Sequence, residues 1–313
     1  MDLKSKIILI SGPTASGKSN FAVKLAKKIN GEIINSDSMQ VYKHLKILTA
    51  RPEKNEQMKI KHHLYGIVNV EKSFSTGEWL KLTLKKIKEI KKRKKIPILV
   101  GGTGLYFQSL INGLVQIPNI PLKTRIKVRM IQKKEGQKKF YKRLLKFDKK
   151  VLDKFDPNDA QRSIRAYEVK LHTNISIYEW QNKTKSIFNE NEFIKLYLNF
   201  DRKKLIENIT KRTSRMFKDG VVKEFKNFIT KKIKKDSSVN KVIGINELNQ
   251  YLKKQITMDQ ARELMAIRTR QYAKRQTTWA RSRMMSWTKI NQTEISSWIK
   301  RINKSTLKLD QLI

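Results

Sequence analysis

The octapeptide Gly12–Ser19, GPTASGKS, constrains this chain more than any other stretch. Before it runs KIILI, Lys6–Ile10, a β-branched apolar segment that reads as a buried strand stopped by Gly-Pro. After it runs GKSNFAVKLAKKI, in which Phe21, Leu25 and Ile29 recur at helical spacing. Gly31 is expected to end that helix as a C-cap. The pattern G-x-x-x-x-G-K-[ST] between a strand and a helix is a phosphate-binding loop. Its glycines let backbone N–H groups turn into one concavity, and the helix N-terminus adds partial positive charge. Gly12, Pro13, Thr14, Ala15, Ser16, Gly17, Lys18 and Ser19 are therefore the candidate diphosphate- or nucleotide-binding residues. Lys18 offers a point charge to the outer phosphates, and the Ser19 hydroxyl suits Mg²⁺, a hard ion that prefers oxygen. The loop specifies a phosphate without saying whose.

Further apolar runs repeat the alternation. EIIN reads as a second strand, a helical stretch covers about 78–91, and IPILV at 96–100 reads as a third strand. A fourth, FIKLYLNF at 193–200, is expected to rejoin the sheet. Strands alternating with helices predict an α/β fold: a P-loop NTPase-like parallel sheet core with helices on both faces. Between about 119 and 195 the chain becomes Lys/Arg-rich and helical, entered through Pro118 and Pro121. The expected organisation is thus a core of 1–118 and 196–313, helical in its C-terminal part, and an inserted all-helical lobe of 119–195. Thr257-x-x-Gln260 has the form of a capping box opening a long helix. His62 and His63 are adjacent, a poor arrangement for one metal, and read as structural.

The chain has 313 residues, with 70 Lys and Arg against 27 Asp and Glu, for a formal charge of +43 at pH 7. A field of that sign attracts phosphate backbones and predicts a polyanionic partner, nucleic acid rather than membrane. No run reaches the ~20 apolar residues of a spanning helix. The lysine runs at 85–95 and 231–235 read as solvated helix faces. Cysteine is absent, which excludes disulfides and thiolate metal sites and fits a reducing compartment. Ile7–Ile10 is too short for a signal peptide. A cytoplasmic monomer is expected.

Two more strand ends carry candidates. Asp37 follows the second strand, on the sheet edge where open α/β folds bind ligands. There it could hold Mg²⁺, take a proton from a nucleophile, or serve as a helix N-cap. Thr103 lies in VGGTGLYFQ after the third strand. Gly101, Gly102 and Gly104 are expected to let the backbone approach a ligand there, or to make a tight turn. In LIENITKRTSRMFKDG, 205–220, Leu205, Ile209, Arg212 and Met216 follow 4-3-4 spacing. Arg212 therefore lies on or beside the inward stripe, with Asn208, Lys211, Arg215 and Lys218 on the wet face. An inward Arg suits a diphosphate or a structural ion pair. In TRQYAKRQTTW, Arg270, Lys274 and Arg275 alternate with Tyr272 and Trp279, either a nucleic-acid surface or stems laid over a core.

The segments GPTASGKS, DSMQVYK, TARP, HHL, GGTGLY, DPNDAQRSIRAYEV and TRQYAKRQTTW stand in the order found in tRNA dimethylallyltransferases, also called isopentenyl-diphosphate:tRNA isopentenyltransferases. The chain resembles that family over nearly its whole length. The resemblance implies transfer of a dimethylallyl group from dimethylallyl diphosphate to N6 of the adenosine 3′-adjacent to the anticodon, with Mg²⁺. It implies a catalytic role for Asp37, Thr103, Arg212 and Lys18. It also implies tRNA contact by Asp37, Ser38, Met39, Gln40, Thr103, Arg125, Gln161, Arg162, Ser163, Ile164 and Arg165, the lobe gripping the anticodon stem-loop. The family's IGYKEL stands here as IGINEL, with Ile245 and Asn246 as the departures. A P-loop kinase of a nucleotide or small metabolite would explain the loop but not the basic lobe. A non-catalytic RNA-binding protein would explain the charge but leave Asp37 without work.

Overall fold

The structure, a computed structural model, describes residues 5–53, 60–234 and 237–301. Lys235, the end of the second lysine run, and the end of the expected helical C-terminal part, 302–313, lie outside them. Two compact units are present, Met1–Ser109 with Phe188–Ile313, and Leu110–Ile187.

Among the described residues of the first unit, six parallel strands make one sheet. They are β1 (Ile7–Ser11), β2 (Gly31–Asn35), β3 (His62–His63), β4 (Ile96–Gly101), β5 (Phe193–Asn199) and β6 (Thr288–Asn291), ordered β3-β2-β4-β1-β5-β6. β1, β2 and β4 are buried along their whole length, as continuous apolar runs in parallel sheets require. Helix α1 (Lys18–Ile29) packs Phe21, Leu25 and Ile29 against Ile8, Ile10, Ile33, Ile98 and Leu196. Register brings the carboxyl ends level: Ser11 pairs with Gly101, and Asn35 with Val100. Helix α2 (Thr76–Lys92) opens on a capping box between Ser75 and Glu78 and buries Trp79. The Trp79 indole stacks on Tyr106, centroids 4.1 Å apart, and its N–H donates to the Asn35 carbonyl at 2.8 Å.

The second unit contains α4 (Leu122–Phe147), which begins at Pro121 and is broken at Gly136, then α5 (Ala160–Thr173) and the short α6 (Ile177–Asn182). Seven buried residues, Val128, Phe140, Tyr141, Leu144, Val151, Ala166 and Tyr167, form its core. The turn leading into it includes α3 (Gly104–Asn112). The C-terminal part of the first unit carries α7 (Arg202–Lys218), α8 (Val221–Ile229), α9 (Ile245–Leu252), the 26-residue α10 (Met258–Arg283) and α11 (Ile295–Arg301). The Thr257–Gln260 capping box opens α10.

Five sequence expectations need correction. Residues 231–234 of the second lysine run lie beyond the end of α8 rather than on a helix face. Asn30, not Gly31, takes the left-handed cap of α1, with φ 56°. Gly31 is instead the first residue of β2, where a Cβ would fall 2.6 Å from Ile98 Cδ1. The sheet has two further edge strands. β3 is two histidines, and β6 buries only Ile290, so neither offers the apolar run that marks a strand. β6 also interrupts the expected helical C-terminal part. Finally, β5 starts at Phe193, so a boundary at 195/196 would cut a strand.

Glu32 is 1% exposed inside β2. It accepts from Arg93 Nη2 at 2.6 Å and Nε at 3.1 Å, and contacts His63 Nε2 at 2.6 Å. Burial alone would raise its carboxyl, but the Arg93 and His63 hydrogen bonds outweigh it and bring the pKa down to about 2. His63 is held below its ordinary value, chiefly by burial. A depressed carboxyl contributes stability above its unfolded pKa, and that contribution fades as pH falls toward about 2. Glu32→Gln is expected to cost about 2 kcal/mol at pH 7, the scale of a charged hydrogen bond. In urea titrations at pH 7 and pH 3, the gap from wild type should narrow at the lower pH.

Candidate active site

Three adjacent strands, β2, β4 and β1, end at one rim and hand over to Asp37, Thr103 and the phosphate loop. The loop turns through Gly17, φ 78°, a left-handed residue at the N-cap of α1 that glycine adopts without steric cost. Ala15 is also left-handed, φ 65°. The Lys18 ammonium donates to the Pro13 carbonyl at 3.0 Å. Burial pushes Lys18 down to about 8; the Asp37 carboxylate acts upward and Arg212 downward. Ser19 stands exposed in the first turn of α1.

Asp37 is fixed by its neighbours. Asn35 is fully buried, accepts from the Asp37 N–H at 2.9 Å, and donates to the carbonyls of Asp37 and Leu64. One Asp37 carboxylate oxygen accepts from the Met39 N–H at 2.8 Å. No helix follows Asp37, so it is not the helix N-cap that its position also allowed; it closes a local turn and lines the cavity beside the loop. The Thr103 hydroxyl accepts from the Ser38 N–H at 3.0 Å and donates to the Ser38 hydroxyl at 3.3 Å.

The glycines of the Thr103 loop do a different job from the one expected. Space for a Cβ at Gly101 is filled by Ser36 backbone, at Gly102 by the Gln276 amide, and at Gly104 by the Trp279 ring. They admit protein rather than ligand. Gln276 accepts from the Thr14 N–H at 2.8 Å and donates to the Gly102 carbonyl at 2.9 Å, tying the two loops together. Sequence reasoning singled out its neighbours in α10 and missed it, because a glutamine among arginines carries no signal of its own.

Helix α7 grips the loop at two points one turn apart. Arg212 Nη2 donates to Thr14 Oγ1 at 2.9 Å, and Asn208 Nδ2 donates to the Ala15 carbonyl at 3.3 Å. Asn208 thus faces the loop, not the wet side, because Leu205, Ile209, Ala266 and Ala273 pack α7 closely against α10. Burial lowers the Arg212 guanidinium from its ordinary value, opposed by Asp37. Arg215 points outward to Asp219, as expected.

A cavity of about 360 Å³ joins these groups. Thr14, Asp37, Ser38, Thr103 and Arg212 give its polar side; Met39, Leu48, Met216, Val242, Ile243 and Met265 give its apolar walls. The apolar walls come from segments whose periodicity reads only as core. Gln40 donates to the Thr49 and Ala50 carbonyls and so shapes the 49–50 wall. Ile245 and Asn246, the two departures, lie outside the cavity lining, which uses Lys241, Val242 and Ile243. Tyr272 and Arg275 also line it, with Arg275 placed 5.8 Å from the Tyr272 ring centroid.

Arg125, Gln161, Arg162, Ser163, Ile164 and Arg165 belong to the second unit. Gln161 and Arg162 are exposed and Arg165 is half-buried. Ser163 is fully buried: it donates to the Asp159 carbonyl and accepts from Gln137. Ile164 packs on the unit's core. These two residues hold α5 in place while its outer face carries the basic groups.

An incoming diphosphate adds negative charge beside Lys18 and must raise its pKa from about 8. Diphosphate binding should therefore take up a proton above pH 8, and affinity should fall as pH rises. Calorimetry of inorganic pyrophosphate binding at pH 8.5, in two buffers of different ionisation enthalpy, should show that uptake. Lys18→Arg, which cannot deprotonate, should lose the part due to residue 18.

Comparison with known proteins gives the family. The family model described as IPP transferase matches residues 40–283. The tRNA dimethylallyltransferase of Pelagibacter ubique (strain HTCC1062) is 68% identical over 312 residues, covering 100% of both chains. That of Rickettsia massiliae (strain Mtu5) is 42% identical over 302 residues, covering 95% of this chain and 83% of its own. A eukaryotic dimethylallyltransferase solved acting on tRNA superposes with a TM-score of 0.81 at 31% identity, covering 94% of this chain and 75% of that one. The full-length tRNA isopentenylpyrophosphate transferase of Bacillus halodurans gives 0.67 at 31% identity, with 95% of each chain covered. With the phosphate loop, the rim aspartate and the half-buried Arg212 meeting in one cavity, the chain belongs to the IPP transferase family, that of the tRNA dimethylallyltransferases.

Proposed function

We infer that the chain transfers a dimethylallyl group from dimethylallyl diphosphate to N6 of the adenosine 3′-adjacent to the anticodon of tRNA, releasing diphosphate. The observation that carries this reading is the shared cavity. Asp37 lies within electrostatic reach of Lys18 and Arg212, with apolar walls large enough for a five-carbon group. In the reaction the allylic C–O bond breaks, a C–N bond forms to N6, and N6 gives up a proton. Asp37 is the group placed to accept that proton. Negative charge grows on the leaving diphosphate, and Lys18 and Arg212 are the cations beside the loop to meet it. The adenine amine is a poor nucleophile, so exclusion of water by Met39, Leu48, Met216 and Met265 protects the electrophilic carbon.

Mg²⁺ fits the loop. Among the described residues no cluster of three or more histidine, aspartate or glutamate side chains could hold a metal. The exposed Ser19 hydroxyl and the diphosphate oxygens are the ligands on offer, an oxygen set of the kind Mg²⁺ takes with phosphates. When bound, the ion would neutralise charge on the departing diphosphate.

The target adenine has to leave its stack, which is easier in an anticodon loop than in a duplex. Ser38, Met39 and Thr103 stand where the base would enter. The second unit supplies a tRNA-gripping surface through Arg125, Gln161, Arg162 and Arg165. No described helix is long and apolar enough to cross a membrane. The reading places the enzyme in the cytoplasm, as a monomer.

Incubation with dimethylallyl diphosphate, Mg²⁺ and unmodified tRNA should yield isopentenylated adenosine by nucleoside mass spectrometry. ATP-dependent phosphorylation of a small acceptor without tRNA would return the chain to the kinases. Asp37→Asn should lower the rate roughly 100- to 10,000-fold, the range for losing a general base, while tRNA affinity stays within about threefold. Unchanged turnover in that variant would remove Asp37 from the chemistry.

A further inference from the structure

Gln276 lies on the face of α10 that meets two loops of the site. Its Oε1 accepts from the Thr14 N–H at 2.8 Å, and its Nε2 donates to the Gly102 carbonyl at 2.9 Å. One planar amide therefore joins the phosphate loop to the loop that carries Thr103. Its orientation is fixed, since the reverse would set two donors together at Thr14 and two acceptors together at Gly102.

Sterics point to the same side chain. A Cβ on Gly102 would fall 2.1 Å from Gln276 Nε2, and one on Gly104 would fall 2.3 Å from the Trp279 ring. Both glycines that flank Thr103 thus make room for side chains of α10. Gly102 is not among the left-handed glycines, so the space, rather than its backbone angle, calls for glycine there. Thr14 is held a second time, by Arg212 at its hydroxyl. Its neighbour Ala15 packs on the apolar cluster of Leu205, Ile209, Ala266 and Ala273 between α7 and α10. The spacing of the two loops is therefore set from outside the sheet, by a helix of 26 residues.

We propose that Gln276 is a positioning residue for the transfer, holding the phosphate loop and Thr103 at the separation from which donor carbon and acceptor nitrogen react. This rests on the prenyl-transfer reading above. Loops set in advance spare the bound substrates the cost of ordering them. A misplacement of about 1 Å between reacting groups is enough to slow a reaction roughly 100-fold.

Gln276→Met keeps the length of the side chain and removes both hydrogen bonds. It should lower kcat at saturating tRNA and dimethylallyl diphosphate roughly 10- to 100-fold. It should weaken binding of inorganic pyrophosphate about fivefold, the scale of one net hydrogen bond. Affinity for tRNA, and its salt dependence, should not move, because no charge changes. Gly102→Ala should reproduce the loss by pushing the Gln276 amide aside. In a Gln276→Ala background the same change should add little, because the side chain it would strike is gone. A tie that serves only the fold predicts a lower melting temperature with kcat of the folded variant intact. Wild-type kcat in folded Gln276→Met, or losses from Gly102→Ala and Gln276→Ala that simply add, overturns the proposal. If Gln276→Met fails to fold, judged by circular dichroism, the Gly102→Ala comparison decides. Wild-type protein that transfers nothing, while its pyrophosphate binding still weakens in Gln276→Met, would sink the reaction and leave the clamp on the phosphate loop standing.

Discussion

One close approach of backbone to backbone governs the site. At Gly101 a Cβ would fall 2.0 Å from the Ser36 carbonyl oxygen. Only glycine lets the end of β4 lie that near the chain leaving β2. The Ser36 N–H donates to the Val100 carbonyl at 2.8 Å, and the Thr103 N–H to the Ser36 carbonyl at 3.3 Å. The two strand ends are thereby sewn into one surface. Asp37 has no freedom to swing from the phosphate loop, and the cavity inherits that rigidity.

Around this seam the charges are balanced at short range. Lys18 and Arg212 are both disfavoured by burial, and Asp37 favours the charged form of each. Such an arrangement keeps cations ready beside an anion site without a dense shell of water. The apolar walls sharpen it, since they lower the local dielectric and strengthen each interaction. The same walls bound the cavity of about 360 Å³, so its electrostatics and its shape come from one feature.

The phosphate loop, β1, β2, β4 and the capping box of α10 were legible because each rests on local chemistry: a glycine pattern, an apolar run, a Thr and a Gln three residues apart. Arg212 was legible from its 4-3-4 neighbours. Asn208 was misread, because helical spacing places a side chain on a flank without saying which partner lies there. Gln276, Asn35 and Glu32 were silent, since each acts on a residue far away in sequence or through backbone atoms. The glycines of the Thr103 loop were noticed for the right reason, a need for close approach, with the wrong occupant assigned. Ser163 and Ile164 show the opposite limit: a run of residues sharing a motif includes members turned toward the unit's core.

Gln276 seals the Thr14 amide across 262 residues of chain. A protein still emerging from the ribosome therefore carries a complete phosphate-loop sequence long before it carries the helix that clamps that loop. The clamped form of the loop therefore exists only once the last fifth of the polypeptide, which carries α10, has been made.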